Sequence, residues 1–244
     1  MATKIGYVQA GSARSGHSGI EDALPKEVQV EHVGMDVKMD FEIKSSYDAN
    51  RPLIGMKAAY LKRVPEAVEK GGWQATVVMG WPVQMMNPGI HEEVRALVKV
   101  PVTTAAHASS TALRAFGAKR VLLMTPWDDS VDVHLRHYLT TTGLEVVTPK
   151  SKPYDCINNA LAAPAEQVRE LTSRAVHEAR WVEAVYFQAP LRSFPVLAQM
   201  ERELGVPMVT SNLAALWYML SALGQRYSIP GCRLLTEWPT LPTS

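Results

Sequence analysis

A chain of 244 residues with 47% hydrophobic side chains carries enough apolar surface for one large core or two smaller ones. Its 25 basic residues nearly cancel its 24 acidic ones, so a net charge of +1 gives no electrostatic reason to expect nucleic acid or an anionic membrane as partner. The two cysteines, Cys156 and Cys232, exclude a disulfide framework and a Cys-x-x-Cys zinc site, and fit a reducing compartment.

Taken in chain order, strand-like and helix-like runs alternate nearly from end to end. Lys4 to Gln9 enters a strand directly, without a signal-peptide pattern, and a loop rich in glycine and serine follows through Gly19. Val28 to Met35 alternates as a strand, and Pro52 to Lys70 has helical spacing stopped by Gly71 and Gly72. Ala75 to Met79 is a short strand ending at Gly80. Pro88 to Val98 reads as a helix, Val100 to Thr104 as a strand and His107 to Phe116 as a helix.

The order then starts again. Strands are expected at Arg120 to Thr125, Leu144 to Thr148, Ala184 to Phe187 and Pro207 to Thr210. Helices are expected at Asp129 to Thr142, Pro164 to Ala179, Pro195 to Leu204 and Asn212 to Leu223. The last run is the most apolar and is too short to span a bilayer, so a soluble cytoplasmic protein is expected. Pro239 to Pro242 read as a frayed end.

The two halves repeat each other. Val100-Pro101-Val102-Thr103-Thr104 matches Val206-Pro207-Met208-Val209-Thr210, and Val77 to Pro82 lines up with Val185 to Pro190. A period of about 105 residues is too long for a solenoid. The pattern predicts an α/β fold of two pseudo-symmetric lobes, each a four-stranded parallel sheet flanked by helices. Ligands in such sheets sit beyond the strand C-termini. That rule selects the loops after Gln9, Gly80, Thr104, Thr125, Thr148, Phe187 and Thr210.

The stretches from Gly117 to Trp127 and from Met200 to Trp217 resemble the aspartate/glutamate racemase superfamily, in particular its arylmalonate decarboxylase and maleate cis-trans isomerase branch. The resemblance implies swapped final helices. Residues 1–106 and 212–244 would form lobe one, residues 107–211 lobe two, and the active site would lie in the cleft between them. It also implies catalytic cysteines after the third strand of each lobe, yet those positions hold Gly80 and either Gln188 or, one place on, Ala189. Two-base racemization and thiol-based isomerization therefore lose their usual groups. Trp81 and Pro82 stand where the decarboxylase carries hydroxyl-bearing residues, and Trp127 stands where it carries a tyrosine. The change trades hydroxyl donors for indole surface.

Two residues are candidates for proton transfer. Cys156 lies in the loop before the helix at Pro164, where a helix N-terminus lowers a thiol pKa; the plain alternative is a small buried filler. His107 follows the strand ending at Thr104, where a helix N-terminus favours neutral imidazole; its alternative is a packing role. Gln9, Gly80, Trp81, Trp127 and Gln188 are the substrate-binding candidates, and Arg14 sits in a glycine-rich loop suited to a lid. Trp81, Trp127 and His107 are expected to line one cleft, although large aromatics more often fill cores. His134 and His137 lack a third ligand, so no metal and no cofactor are expected. Asn212 reads as a helix cap.

The function expected is a cofactor-independent decarboxylase or isomerase acting on a small organic acid, aromatic acids included, through an enediolate or carbanion-like intermediate. A hydrolase or lyase in the same cleft and a non-catalytic small-ligand binder are the alternatives. The partners expected are the substrate alone, without nucleic acid or membrane, and homo-oligomerisation stays open.

Overall fold

The computed structural model describes residues 2–13, 24–38, 45–150, 157–188 and 194–242. Among the described residues, eight strands form two sheets: β1 (Thr3–Gln9), β2 (Val28–Gly34), β3 (Ala75–Val78) and β4 (Val102–Thr104), then β5 (Arg120–Met124), β6 (Glu145–Val147), β7 (Ala184–Phe187) and β8 (Met208–Thr210). The sheet orders are β2-β1-β3-β4 and β6-β5-β7-β8, and every pairing is parallel. The same order in both sheets is the structural form of the sequence repeat. Strands β3 and β7 are buried throughout, as parallel strands covered on both faces must be.

The helices are α1 (Ser46–Asn50), α2 (Lys57–Gly71), α3 (Trp81–Met86), α4 (Ile90–Leu97), α5 (Ala105–Ala115), α6 (Asp129–Thr141), α7 (Ile157–Ala162), α8 (Ala165–Ala179), α9 (Phe194–Leu204), α10 (Ser211–Ala222) and α11 (Arg233–Thr236). Helix α5 follows β4 but packs on β7 and β8, while α10 follows β8 and packs on β3 and β4. The two helices also pack on each other. Small residues on α5 (Ala105, Ala108, Ser109 and Ala112) are fully buried and allow close approach. Helix α10 is apolar nearly all round, with Leu213, Leu216, Trp217 and Leu220 buried, because sheet and helix enclose it. Both start on a threonine cap: Thr104 Oγ1 accepts from the His107 N–H at 3.2 Å and Thr210 Oγ1 from the Leu213 N–H at 3.3 Å. The halves are also tied at α1, where the Ser46 N–H donates to Asp128 Oδ2 at 2.7 Å and the Asp128 N–H to Ser46 Oγ at 3.1 Å.

The C-terminal segment departs from the expected frayed end. Trp238 is 8% exposed, its Nε1 donates to Ser221 Oγ at 3.0 Å, and Trp217 Nε1 donates to the Pro239 carbonyl at 3.1 Å. Aromatic anchoring overrides the local proline signal. Glu201, 5% exposed, fastens α11 to β8: its Oε1 accepts the Met208 N–H at 2.8 Å and its Oε2 the Arg233 N–H at 2.7 Å. Burial pushes this carboxyl up to about 7 against the pull of both N–H donors and the Arg233 guanidinium. Glutamine here would turn one acceptor into an NH2 facing an N–H. Glu201→Gln is therefore expected to lower unfolding free energy by about 2 kcal/mol, read from urea denaturation. A loss below about 0.5 kcal/mol would show that the paired acceptors contribute little.

Among the described residues no helix is long and apolar enough to cross a membrane.

Candidate active site at the strand ends

The C-terminal ends of β3, β7 and β8 meet at an open cleft lined by Met79, Gly80, Trp81, Gln188, Thr210, Ser211 and Asn212. The position follows from the register. Phe187 pairs with Thr210, so Gln188 and Ser211 leave neighbouring strands side by side.

Gly80 turns the chain from β3 into α3 at φ 85°, ψ 105°, a conformation that favours glycine. An added Cβ would meet only Val83 Cγ2 at 3.6 Å, so backbone angle, not space, calls for glycine. The turn sends Trp81 inward, where it is 0% exposed and its Nε1 has no hydrogen-bond partner among the described residues. Gln188 Oε1 accepts from Trp127 Nε1 at 2.5 Å, which turns the Gln188 NH2 away from that bond. Trp127, 5% exposed, stands behind Gln188 and is not among the lining residues.

His107 does not line this cleft either. Helix α5 begins at Ala105, two residues earlier than expected, and each residue turns a helix by about 100°. His107 therefore faces α4 and α10, with its ring 4.3 Å from that of His91 and 5.4 Å, edge-on, from that of Tyr218. Burial, with help from His91, lowers its pKa to about 4, so the ring is neutral at pH 7. Of the expected trio, Trp81 alone lines the cleft, and Trp127 reaches it through Gln188.

Gln9 serves its own loop: its Nε2 donates to the Ser12 carbonyl at 2.5 Å and the Ala13 carbonyl at 3.1 Å. Cys156 and Arg14 lie outside the described residues. Asn212, expected as a helix cap, occupies the second position of α10, and Thr210 caps instead. The lining residues missed by sequence reasoning are Met79, Thr210, Ser211 and Asn212, the last of them read only as a cap. The strand-end rule pointed to their loops but not to the side chains. Ser211 Oγ lies 3.0 Å from the hydroxyl of Tyr186, a fully buried residue of β7. No Asp, Glu, Lys or Arg is among the lining residues. Among the described residues no group of three or more His, Cys, Asp or Glu could hold a metal ion.

The profile described as arylmalonate decarboxylase matches residues 60–235. Maleate isomerase of Alcaligenes faecalis is 27% identical over 136 residues, 54% of this chain and 53% of that protein. Arylmalonate decarboxylase of Bordetella bronchiseptica is 26% identical over 132 residues, 54% of this chain and 55% of that protein. The chain thus spans about half the length of the curated relatives it matches. In fold, a crystal structure of arylmalonate decarboxylase superposes with a TM-score of 0.77 at 23% identity, covering 96% of this chain and 99% of the other. A maleate isomerase variant from Pseudomonas putida, solved with maleate, gives 0.78 at 18% identity, covering 97% and 98%. With a family match over more than half its length and the same two-sheet architecture, the chain belongs to the arylmalonate decarboxylase family.

Proposed function

We propose that this chain is a cofactor-independent enzyme of the decarboxylase or isomerase type, acting on a small organic acid in the cleft at the strand ends. One observation carries the reading. The equivalent ends of β3 and β7 bring Gly80 and Gln188 to a single cleft, where ligands of open α/β sheets bind. Its side-chain polar groups include the Gln188 and Asn212 amides, each able to donate a hydrogen bond. Fixed neutral donors of this kind stabilise the negative charge that develops on an enediolate. Proton transfer falls to Cys156 in this proposal, because the His107 ring is packed between His91 and Tyr218.

Turnover of phenylmalonate and of maleate, followed as CO2 release and as cis-trans conversion, tests the reading. Cys156→Ser is expected to lower kcat by about a hundredfold or more with an unchanged far-ultraviolet spectrum, and His107→Phe to alter it by less than about tenfold. Wild-type turnover in Cys156→Ser, with loss in His107→Phe, would move the proton back to His107.

A second reading has its own support: no group that readily cycles a proton at neutral pH lines the cleft among the described residues. Binding of small carboxylates without turnover of either substrate would make the chain a ligand-binding member of the family.

A further inference from the structure

Three hydroxyls run in a chain from the cleft into the core. Ser211, the first residue of α10, lines the cleft. Its Oγ lies 3.0 Å from the phenol oxygen of Tyr186, a residue of β7 that is 0% exposed. The phenol also hydrogen-bonds Ser109, a fully buried residue of α5. Ser109 Oγ in turn donates to the Ala105 carbonyl at 2.8 Å. A carbonyl has no proton to give, so this last bond fixes the direction of the whole chain. Ser109 gives its single proton to Ala105 and can only accept from Tyr186. Tyr186 gives its proton to Ser109 and can only accept from Ser211. The Ser211 proton therefore points inward, and the hydroxyl meets the cleft with oxygen lone pairs alone.

The adjoining strand end has the opposite polarity. Trp127 Nε1 donates to Gln188 Oε1, so the NH2 is the end of that amide left to donate. Phe187 pairs with Thr210, which puts Gln188 and Ser211 on neighbouring strands, about 4.8 Å apart. One small ligand can touch both.

We propose that Ser211 is a specificity residue whose Oγ accepts a hydrogen bond from the ligand, so that the cleft selects a 2-hydroxy carboxylic acid, and that Tyr186 is a positioning residue that holds Ser211 in this role through Ser109. The carboxylate belongs on the Gln188 side, because a donor attracts it there and the Ser211 lone pairs repel it. The proposal rests on the strand-end cleft being the ligand site and adds the class of acid that the site prefers.

Binding of three acids with one carbon frame measures this apart from any turnover. Mandelate carries a hydroxyl donor beside its carboxylate, phenylglyoxylate a carbonyl that can only accept, and phenylacetate neither. The better-bound mandelate enantiomer is expected to bind wild type about fivefold to tenfold more tightly than phenylglyoxylate, the usual effect of one neutral hydrogen bond. Ser211→Ala should abolish that preference by weakening mandelate alone. Tyr186→Phe keeps the ring and removes the acceptor of the Ser211 proton. The Ser211 hydroxyl can then donate to the ligand, so phenylglyoxylate should gain on mandelate until the two differ by less than about twofold. Equal weakening of all three acids in Tyr186→Phe would show a merely structural tyrosine and overturn its positioning role. Phenylglyoxylate bound by wild type as tightly as mandelate would overturn the proposal, because Ser211 would then be donating to the ligand. A mandelate preference that survives Ser211→Ala would overturn it too, and that variant only trims a partly exposed side chain. Failure of wild type to bind any of the three would reject it together with the cleft as ligand site. Inactivity on phenylmalonate and maleate with the expected binding pattern would leave the Ser211 assignment standing and reject the catalytic reading alone.

Discussion

Gly6→Ala is expected to destabilise the protein by about 3 kcal/mol or more, near the upper end for overpacking. A Cβ at Gly6 would lie 1.8 Å from Trp73 Cε3 and 2.1 Å from its Cζ3. The indole cannot slide the other way, because Gly71 presses on it: a Cβ there would be 2.2 Å from Trp73 Nε1. Trp73 is 4% exposed, belongs to the apolar cluster with Val8, Tyr60 and Val64, and donates its Nε1 proton to Glu31 Oε2 at 2.8 Å. Alanine therefore forces either β1 away from its neighbours or the indole off Glu31. For a chain of this size the melting temperature should fall by about 6–12 °C. In a Trp73→Ala background the same Gly6→Ala change should cost much less, because the clashing ring is gone. A melting temperature within a degree or so of wild type for Gly6→Ala would sink the account.

Acid should weaken the protein through His91 and His107. Burial lowers the pKa of both rings in the fold, that of His107 to about 4. In the unfolded chain each titrates near 6.5. The unfolded state thus binds protons first, and the contribution is intact above about pH 6.5 and is lost as pH falls toward about 4. For His107 the loss approaches about 2–3 kcal/mol, allowing for partial exposure. Burial sets the sign, and the charges around the pair do not reverse it. Arg114 on α5 and Arg95 on α4 oppose a charged His107, while Glu92 on α4 favours it too weakly to prevail. Tyr218 on α10 meets the ring edge-on and supplies no counter-charge. Urea midpoints measured from pH 7 to pH 4 should drop steeply for wild type and less steeply for His107→Phe. Parallel curves for the two proteins would mean that His107 does not titrate with unfolding.

The inner strands were legible because parallel strands buried on both faces read as short apolar runs between punctuating glycines and prolines, and the edge strand β2 because it alternates. Duplicated Val-Pro segments made the repetition of a four-stranded lobe readable as well, though not the strand order within it. What failed was phase along helices. The start of α5 lies at Ala105 rather than His107, and the His107 ring packs against His91 and Tyr218 instead of lining the cleft. Helix α3 was invisible because Trp81-Pro82 resembles a loop, yet Pro at an early helical position needs no N–H partner. Gln9 looked like a ligand contact because strand position was readable, whereas its choice of the Ser12 and Ala13 carbonyls depends on a loop path that no local pattern encodes. The Tyr186–Ser211 pair joins residues 25 apart and needs two neighbouring strands to bring it together.

The exchange of α5 and α10 has a consequence during synthesis. The face of β3 and β4 that α10 covers stays uncovered until residues 211–222 have been made, long after Thr104. At ordinary elongation rates that interval lasts roughly 5–20 s. Throughout it the ribosome displays a half-finished sheet with its apolar side bare, a natural target for a holding chaperone. A release of the chain between the two repeats would leave a fragment that has no way to close.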